Sequence, residues 1–418
     1  MPIIKRLSAL EILDSRGRPT VQATCELVSG ASGTVSVPSG ASTGTAEAHE
    51  LRDGDPQRYG GLGCRKAVNN VRGEMNHTLA GQSFDQQGDL DEIMIVLDGT
   101  PNKARLGANA ILAVSLAFAR ACAAERGIPL YRYFADLIGH PVASLPRPMI
   151  NLFSGGKHAG GQISIQDVQV MPLSARTVDE LLAMTFAVFQ SAADLIYQRY
   201  GMRLLTADEG GLAPAFSSAE EMLDVTVEAI RAAGLEPGRD VALTVDVASS
   251  HFYDNGLYRL GGDVLDGPAM VQRLLSWLDR YPIASLEDGL AEEDWPHWSM
   301  LLSQAGNRAL ILGDDLLCTN PARIRRAIDS RAANALLLKV NQIGTLTEAQ
   351  EACTLAKNAG WRVVVSARSG ETEDNWLADL VVGWGGDHLK VGSITQSERL
   401  AKYNRLLAIE AETRLVMM

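Results

Sequence analysis

Residues 336–341, LLLKVN, place a lysine at the end of a short apolar run. Five more stretches share that plan. LTVDV (243–247) carries Asp246, ASLED (284–288) carries Glu287, LILGDD (310–315) carries Asp314, VVVSA (363–367) ends in Ala367, and HLKVG (388–392) carries Lys390. From Glu287 onward the marked residues follow at steps of 27, 25, 28 and 23, room for one strand, one helix and two loops each. That rhythm predicts an α/β barrel. In such barrels the C-terminal strand ends and the loops after them form the active site, so three carboxylates and two lysines are expected in one mouth. Ala367 alone brings no polar group.

The 418 residues exceed one ordinary core, so two domains are expected, and a hydrophobic share of 46% is enough to bury both. Acidic residues outnumber basic ones, 50 to 38, which leaves no general basic field for nucleic acid or an anionic membrane. An anionic substrate must then be held by local cations or metal. Cys25, Cys64, Cys122, Cys318 and Cys353 are scattered without a CxxC pair, which argues against a disulfide framework or structural zinc. No apolar run approaches a membrane span, and the opening MPIIKRLSALEILDSRG has no signal-peptide core. A cytoplasmic protein without membrane or nucleic-acid partners is the expectation.

The first third is patterned differently. Residues 3–37 alternate and are rich in Val, Ile and Thr around a turn at Ser29–Gly33, as in an antiparallel meander. Residues 64–82 and 105–126 carry helical spacing. An α+β cap domain is thus expected over residues 1–140 and the barrel over 141–418. Between the meander and the helices, PSGASTG (38–44) lacks a Walker lysine and GxGxxG spacing. Gly40 and Gly44 bracket a polar tip that reads as a lid over substrate.

Asp246, Glu287 and Asp314 suit Mg²⁺, which takes hard oxygen ligands and keeps positions for water and substrate. One acid at a strand end is most often a loop cap; three in register would repel one another without a cation. Lys339 is costly inside an apolar strand unless paired or open to a cavity. With Lys390 in the same mouth and metal beside both, its pKa is expected to fall toward the range of a general base. Gly155-Gly156-Lys157-His158, Gln166-Asp167 and Asp208-Glu209-Gly210-Gly211 add glycines beside polar groups, which bring backbone close to a ligand or simply make tight turns.

Together EILDSRGRPTV, PSGASTG, ELRDGD, DGTPNKARLGANAILAVSLA, ADEGGLAP, GDD, LLLKVNQIGTLTE, SARSGETED and SERLAKYN resemble the enolase family over nearly the whole chain. The resemblance implies an α+β cap on an α/β barrel with an irregular, partly antiparallel start, two Mg²⁺ ions, and a homodimer or larger assembly. It implies that Asp246, Glu287 and Asp314 hold the first Mg²⁺ and that Ser42 helps hold the second. Lys339 would take the α-proton of a 2-phosphoglycerate-like acid, and Lys390 would stabilise the enolate. A Lys base with Mg²⁺ is already described for that superfamily. Glu209, with Asp167, would assist departure of the C3 hydroxyl; His158 and Gln166 would line that side; Arg368 and Ser369 would bind the phosphate.

Four departures stand out. Asp167 replaces the glutamate of the family's IQE segment, Ala367 replaces the histidine of SHRSGETED, AGGQISI (159–165) lacks the usual acidic and asparagine residues, and ITQ (394–396) differs beside Lys390. All lie on the hydroxyl and phosphate sides, while the acids and lysines are kept. One reading is a specialised paralogue, similar to the carboxyphosphonoenolpyruvate synthases of phosphonate and phosphinate pathways, with a nucleotide-activated phosphonoformate as second substrate admitted beside Ala367. The alternative is an authentic enolase that interconverts 2-phosphoglycerate and phosphoenolpyruvate. A non-catalytic scaffold would have no need of both lysines and three acids.

Overall fold

The computed structural model describes residues 1–40, 44–201 and 205–417. The meander is present as an antiparallel sheet of β1 (Ile4–Leu13), β2 (Pro19–Leu27) and β3 (Ser32–Ser36). Along β2 the alternate residues Val21, Ala23, Cys25 and Leu27 are buried, the period-two pattern of a sheet with one covered face. The cover is the helix Ala108–Glu125, packed on β2 and β3. It approaches so closely that a Cβ at Gly33 would lie 2.4 Å from the Ala117 carbonyl oxygen. Against the expectation that no apolar run approaches a membrane span, this helix alone, among the described residues, is long and apolar enough to cross one; its apolar residues are instead buried as the core helix of the cap.

The second part begins with β4 (Arg147–Ser154), β5 (Asp167–Pro172) and β6 (Val241–Asp246). A small antiparallel sheet follows: β7 (Tyr253–Asp254), β8 (Leu257–Leu260) and β9 (Asp263–Leu265). This insertion accounts for the long first interval between Asp246 and Glu287. Then come β10 (Ile283–Glu287), β11 (Leu310–Gly313), β12 (Ala335–Leu338), β13 (Arg362–Ser366) and β14 (His388–Lys390). The eight strands outside the insertion close a barrel in the order β10-β11-β12-β13-β14-β4-β5-β6. Strand β5 runs antiparallel to both β4 and β6, and every other neighbouring pair is parallel. The irregular, partly antiparallel start is therefore present.

Strand alternation separates two cores. Leu336 and Leu338 of β12 point outward into the main core, whereas Ala335 and Leu337 pack with Met149, Met171, Ala242, Leu312 and Val364 in a small separate cluster. The polar residues gather at the C-terminal strand ends. Register levels them: Glu287 pairs with Asp246, Asp246 with Asp167, and Lys390 with Ser366 and Met149.

Candidate active site

Lys390 is 5% exposed and donates to Asp246 Oδ2 at 2.9 Å and to both oxygens of Glu287 at 2.7 and 2.6 Å. Gln166 Nε2 donates to the same Asp246 oxygen at 3.0 Å, leaving its own buried Oε1 with no partner. Burial works to raise the Asp246 pKa, but the Lys390 ammonium overrides it and holds the carboxyl at about 2. Glu287 goes the other way, pushed well above the usual carboxylate range by burial and by Asp246. Lys390 itself is held well above its ordinary value, since the acids outweigh burial.

Lys339 pairs with Asp314, whose other oxygen accepts from Gln342 Nε2 at 2.8 Å. The expected fall of the Lys339 pKa is tied to metal beside it; in the ion pair as it stands, burial works to lower the pKa and the touching Asp314 carboxylate outweighs burial and raises it. Arg368 and Lys390 both act to lower it, yet direct contact with an anion outweighs more distant cations.

On the hydroxyl side, Asp167 is fully buried and accepts from Asn151 Nδ2 at 3.0 Å, Ser154 Oγ at 2.5 Å and His158 Nδ1 at 3.0 Å. Asn151 Nδ2 also reaches Glu209 Oε2 at 3.0 Å, and His158 Nε2 lies 3.8 Å from Glu209 Oε1. The shorter side chain at position 167 is thus tied at three points. Burial works to lower the His158 pKa, but Asp167 and Glu209 lift it to about 9. Burial pushes Asp167 up against His158, whereas Glu209 ends below its ordinary value because His158 and Arg399 overcome burial.

On the phosphate side, Arg368 Nη1 donates to Glu47 Oε2 and to Asn341 Oδ1, both at 3.0 Å. Arg16 Nη1 donates to Ser369 Oγ at 3.0 Å and Arg16 Nη2 to the Ser39 carbonyl at 3.0 Å. Ser39 and Gly370 exchange both backbone hydrogen bonds, at 2.8 and 3.0 Å. The root of the PSGASTG segment is therefore fastened to the 368–370 loop. Ser42 lies outside the described residues.

Asp246, Glu287 and Asp314 mark the ends of adjacent barrel strands, two drawn to Lys390 and one to Lys339, and their ligand atoms do not form a set within 4.8 Å of one another. Among the described residues the sets that do are His158, Asp167 and Glu209, and Asp288, Asp314 and Asp315. Burial and Asp314 push Asp315 up to about 7, and Asp288 is also raised, first by burial and then by Asp315. This oxygen-rich, anion-crowded donor set, with the orphaned Gln166 Oε1 beside it, fits a hard divalent cation. A cavity lined by Asp246, Asp288, Asp314, Asp315, Lys339 and Lys390, with Gln166, Ala367 and His251 also on its wall, holds about 30 Å³. A second cavity of about 370 Å³ lies beyond Arg368, among Pro38, Gly40, Gly44, His49 and Asn341.

Sequence reasoning placed its predicted residues in one mouth and missed their supports. Asn151, Ser154, Glu47 and His251 carry no local chemical pattern. Asn341, Arg16 and Arg399 did lie inside the motifs LLLKVN, EILDSRGRPTV and SERLAKYN.

Fold and site together define a capped α/β-barrel enzyme. Residues 4–134 match the family model described as enolase, N-terminal domain, and residues 142–415 match enolase, C-terminal TIM barrel domain. The chain belongs to the enolase family.

Proposed function

We propose that this chain is a Mg²⁺-dependent enolase-superfamily enzyme that takes the α-proton from a phosphorylated three-carbon acid of the 2-phosphoglycerate type. The observation that carries this reading is the pairing of buried Lys390 and part-buried Lys339 with three carboxylates at adjacent strand ends. Asp246, Glu287 and Asp314 would hold one Mg²⁺, and Ser42 would join a second with substrate. Bound Mg²⁺ supplies positive charge for the carboxylate of the enolate. Asp314 is both the partner that keeps Lys339 protonated and a ligand in this scheme. Committing Asp314 elsewhere removes the contact that raises Lys339, so the amine becomes competent as a base.

Lys390 lies across the site from Lys339 and steadies the developing negative charge. His158 holds a proton at neutral pH between Asp167 and Glu209, which supports its use, with Glu209, in expelling the C3 hydroxyl. Arg368 offers a planar fork to the phosphate once it exchanges Glu47 for substrate. With Asp167 secured by Asn151, Ser154 and His158, dehydration to phosphoenolpyruvate is the geometry supported best.

A second reading, the specialised paralogue that joins an enolpyruvate unit to a nucleotide-activated phosphonoformate, is favoured by the cavity beyond Arg368. At about 370 Å³ it is far roomier than the 30 Å³ beside Ala367. The assay is Mg²⁺-dependent turnover of 2-phosphoglycerate with α-proton exchange in deuterated water. Lys339→Ala should abolish both; exchange that persists in this variant removes Lys339 as the base. Exchange by the wild type without phosphoenolpyruvate favours the second reading.

A further inference from the structure

The helix Ser397–Thr413 buries two cations one turn apart under the anion-binding loop. Arg399, fully buried, donates through Nη1 to the Arg368 carbonyl at 2.8 Å and through Nη2 to the Ser369 carbonyl at 2.6 Å. Its Nε reaches Glu398 Oε1 at 3.2 Å. Lys402 donates to Glu371 Oε2 at 2.9 Å and to the Thr372 carbonyl at 2.6 Å. A Cβ at Gly392 would lie 2.8 Å from the Glu209 carbonyl oxygen and 2.9 Å from Arg399 Cδ, so glycine there leaves room for the Arg399 side chain. Ser393 N donates to the same Glu209 oxygen at 2.9 Å.

We propose that Arg399 is a positioning residue that aims the Arg368–Ser369 segment at the phosphate. A buried guanidinium is costly unless its donors are used, and here two go to consecutive carbonyls of the loop whose side chains bind the anion. The proposal rests on the phosphate roles given above for Arg368 and Ser369.

The test uses the full chain as wild type, Arg399→Gln, Arg399→Lys and, as a control on the anion, Arg368→Gln. Binding of inorganic phosphate is followed by calorimetry, and amide hydrogen exchange is read across residues 366–372. Arg399→Gln should weaken phosphate about tenfold and speed exchange in the 368–372 segment. Arg399→Lys should recover part of each. Wild-type exchange in this segment in folded Arg399→Gln overturns the proposal. If the glutamine variant does not fold, unchanged exchange in Arg399→Lys overturns it equally. Phosphate binding that is the same in wild type and Arg368→Gln would overturn the anion assignment instead, while faster exchange in Arg399→Gln would still support the positioning role.

Discussion

Glu287 offers both carboxylate oxygens to the Lys390 ammonium, at 2.7 and 2.6 Å, with all these groups buried. Removing one partner of a buried pair strands the other and costs about 3–5 kcal/mol. Lys390→Met should therefore lose stability on that order in denaturant unfolding. It should regain more than the wild type does when Mg²⁺ is added, because Asp246 and Glu287 are left as free oxygen donors; a chelator should reverse the gain. Equal stability of variant and wild type would mean that Lys390 is not what neutralises these acids.

Two histidines give the pH dependence opposite slopes. His158 sits at about 9, above its ordinary 6.5, so its contribution is fully present below about pH 6.5 and is lost as pH rises through 9. His251 is pushed down to about 4 by burial and Lys157. Its contribution is present above about pH 6.5 and is lost as pH falls through 4. Replacing His158 with Gln should flatten the alkaline fall in unfolding free energy, by on the order of 3 kcal/mol at most. A difference from wild type that stays constant between pH 6.5 and 9 would rule out this origin.

Six of the eight barrel strands were legible because they are short apolar runs, most of them ending in a polar residue that would be too costly to leave buried without a partner. The same pattern located Asp246, Glu287, Asp314, Lys339 and Lys390. It could not give β4 and β5, nor the insertion β7–β9, whose strands are only two to four residues long. Asn151 and Ser154 were illegible for a related reason. Their amide and hydroxyl acquire a role only when β4 and β5 pair antiparallel and bring Ser154 opposite Asp167.

The Ser154 contact explains how a shorter acid is tolerated at position 167. Ser154→Ala deletes one of three donors to a buried carboxylate, a loss of about 1–3 kcal/mol, and should lower both stability and dehydration. Asp167→Glu alone should also destabilise, by about 1–3 kcal/mol, since the extra methylene must enter a site already filled by Asn151, Ser154 and His158. Should Asp167→Glu instead raise turnover of 2-phosphoglycerate, the three contacts are not what fits this acid to its place.

Gly370 carries the junction between the root of the PSGASTG segment, at Ser39, and the loop of Arg368 and Ser369. A Cβ there would lie 2.1 Å from Asp14 Oδ2 and 2.3 Å from Arg16 Nη2, inside the Asp14–Arg16 ion pair. Relief requires moving Arg16, which also holds Ser369 Oγ and the Ser39 carbonyl, or separating the backbone exchange of Ser39 with Gly370. Either movement disturbs Ser369 and the root of the PSGASTG segment, while Lys339 and Lys390 sit on other strands. Gly370→Ala should cost about 1–3 kcal/mol of stability and raise KM for the phosphorylated acid about tenfold or more, with exchange of the α-proton at saturating substrate changed much less. The comparison is kcat and KM beside exchange rates on one preparation. A fall in exchange as large as the change in KM would place the damage at the base and not at this junction.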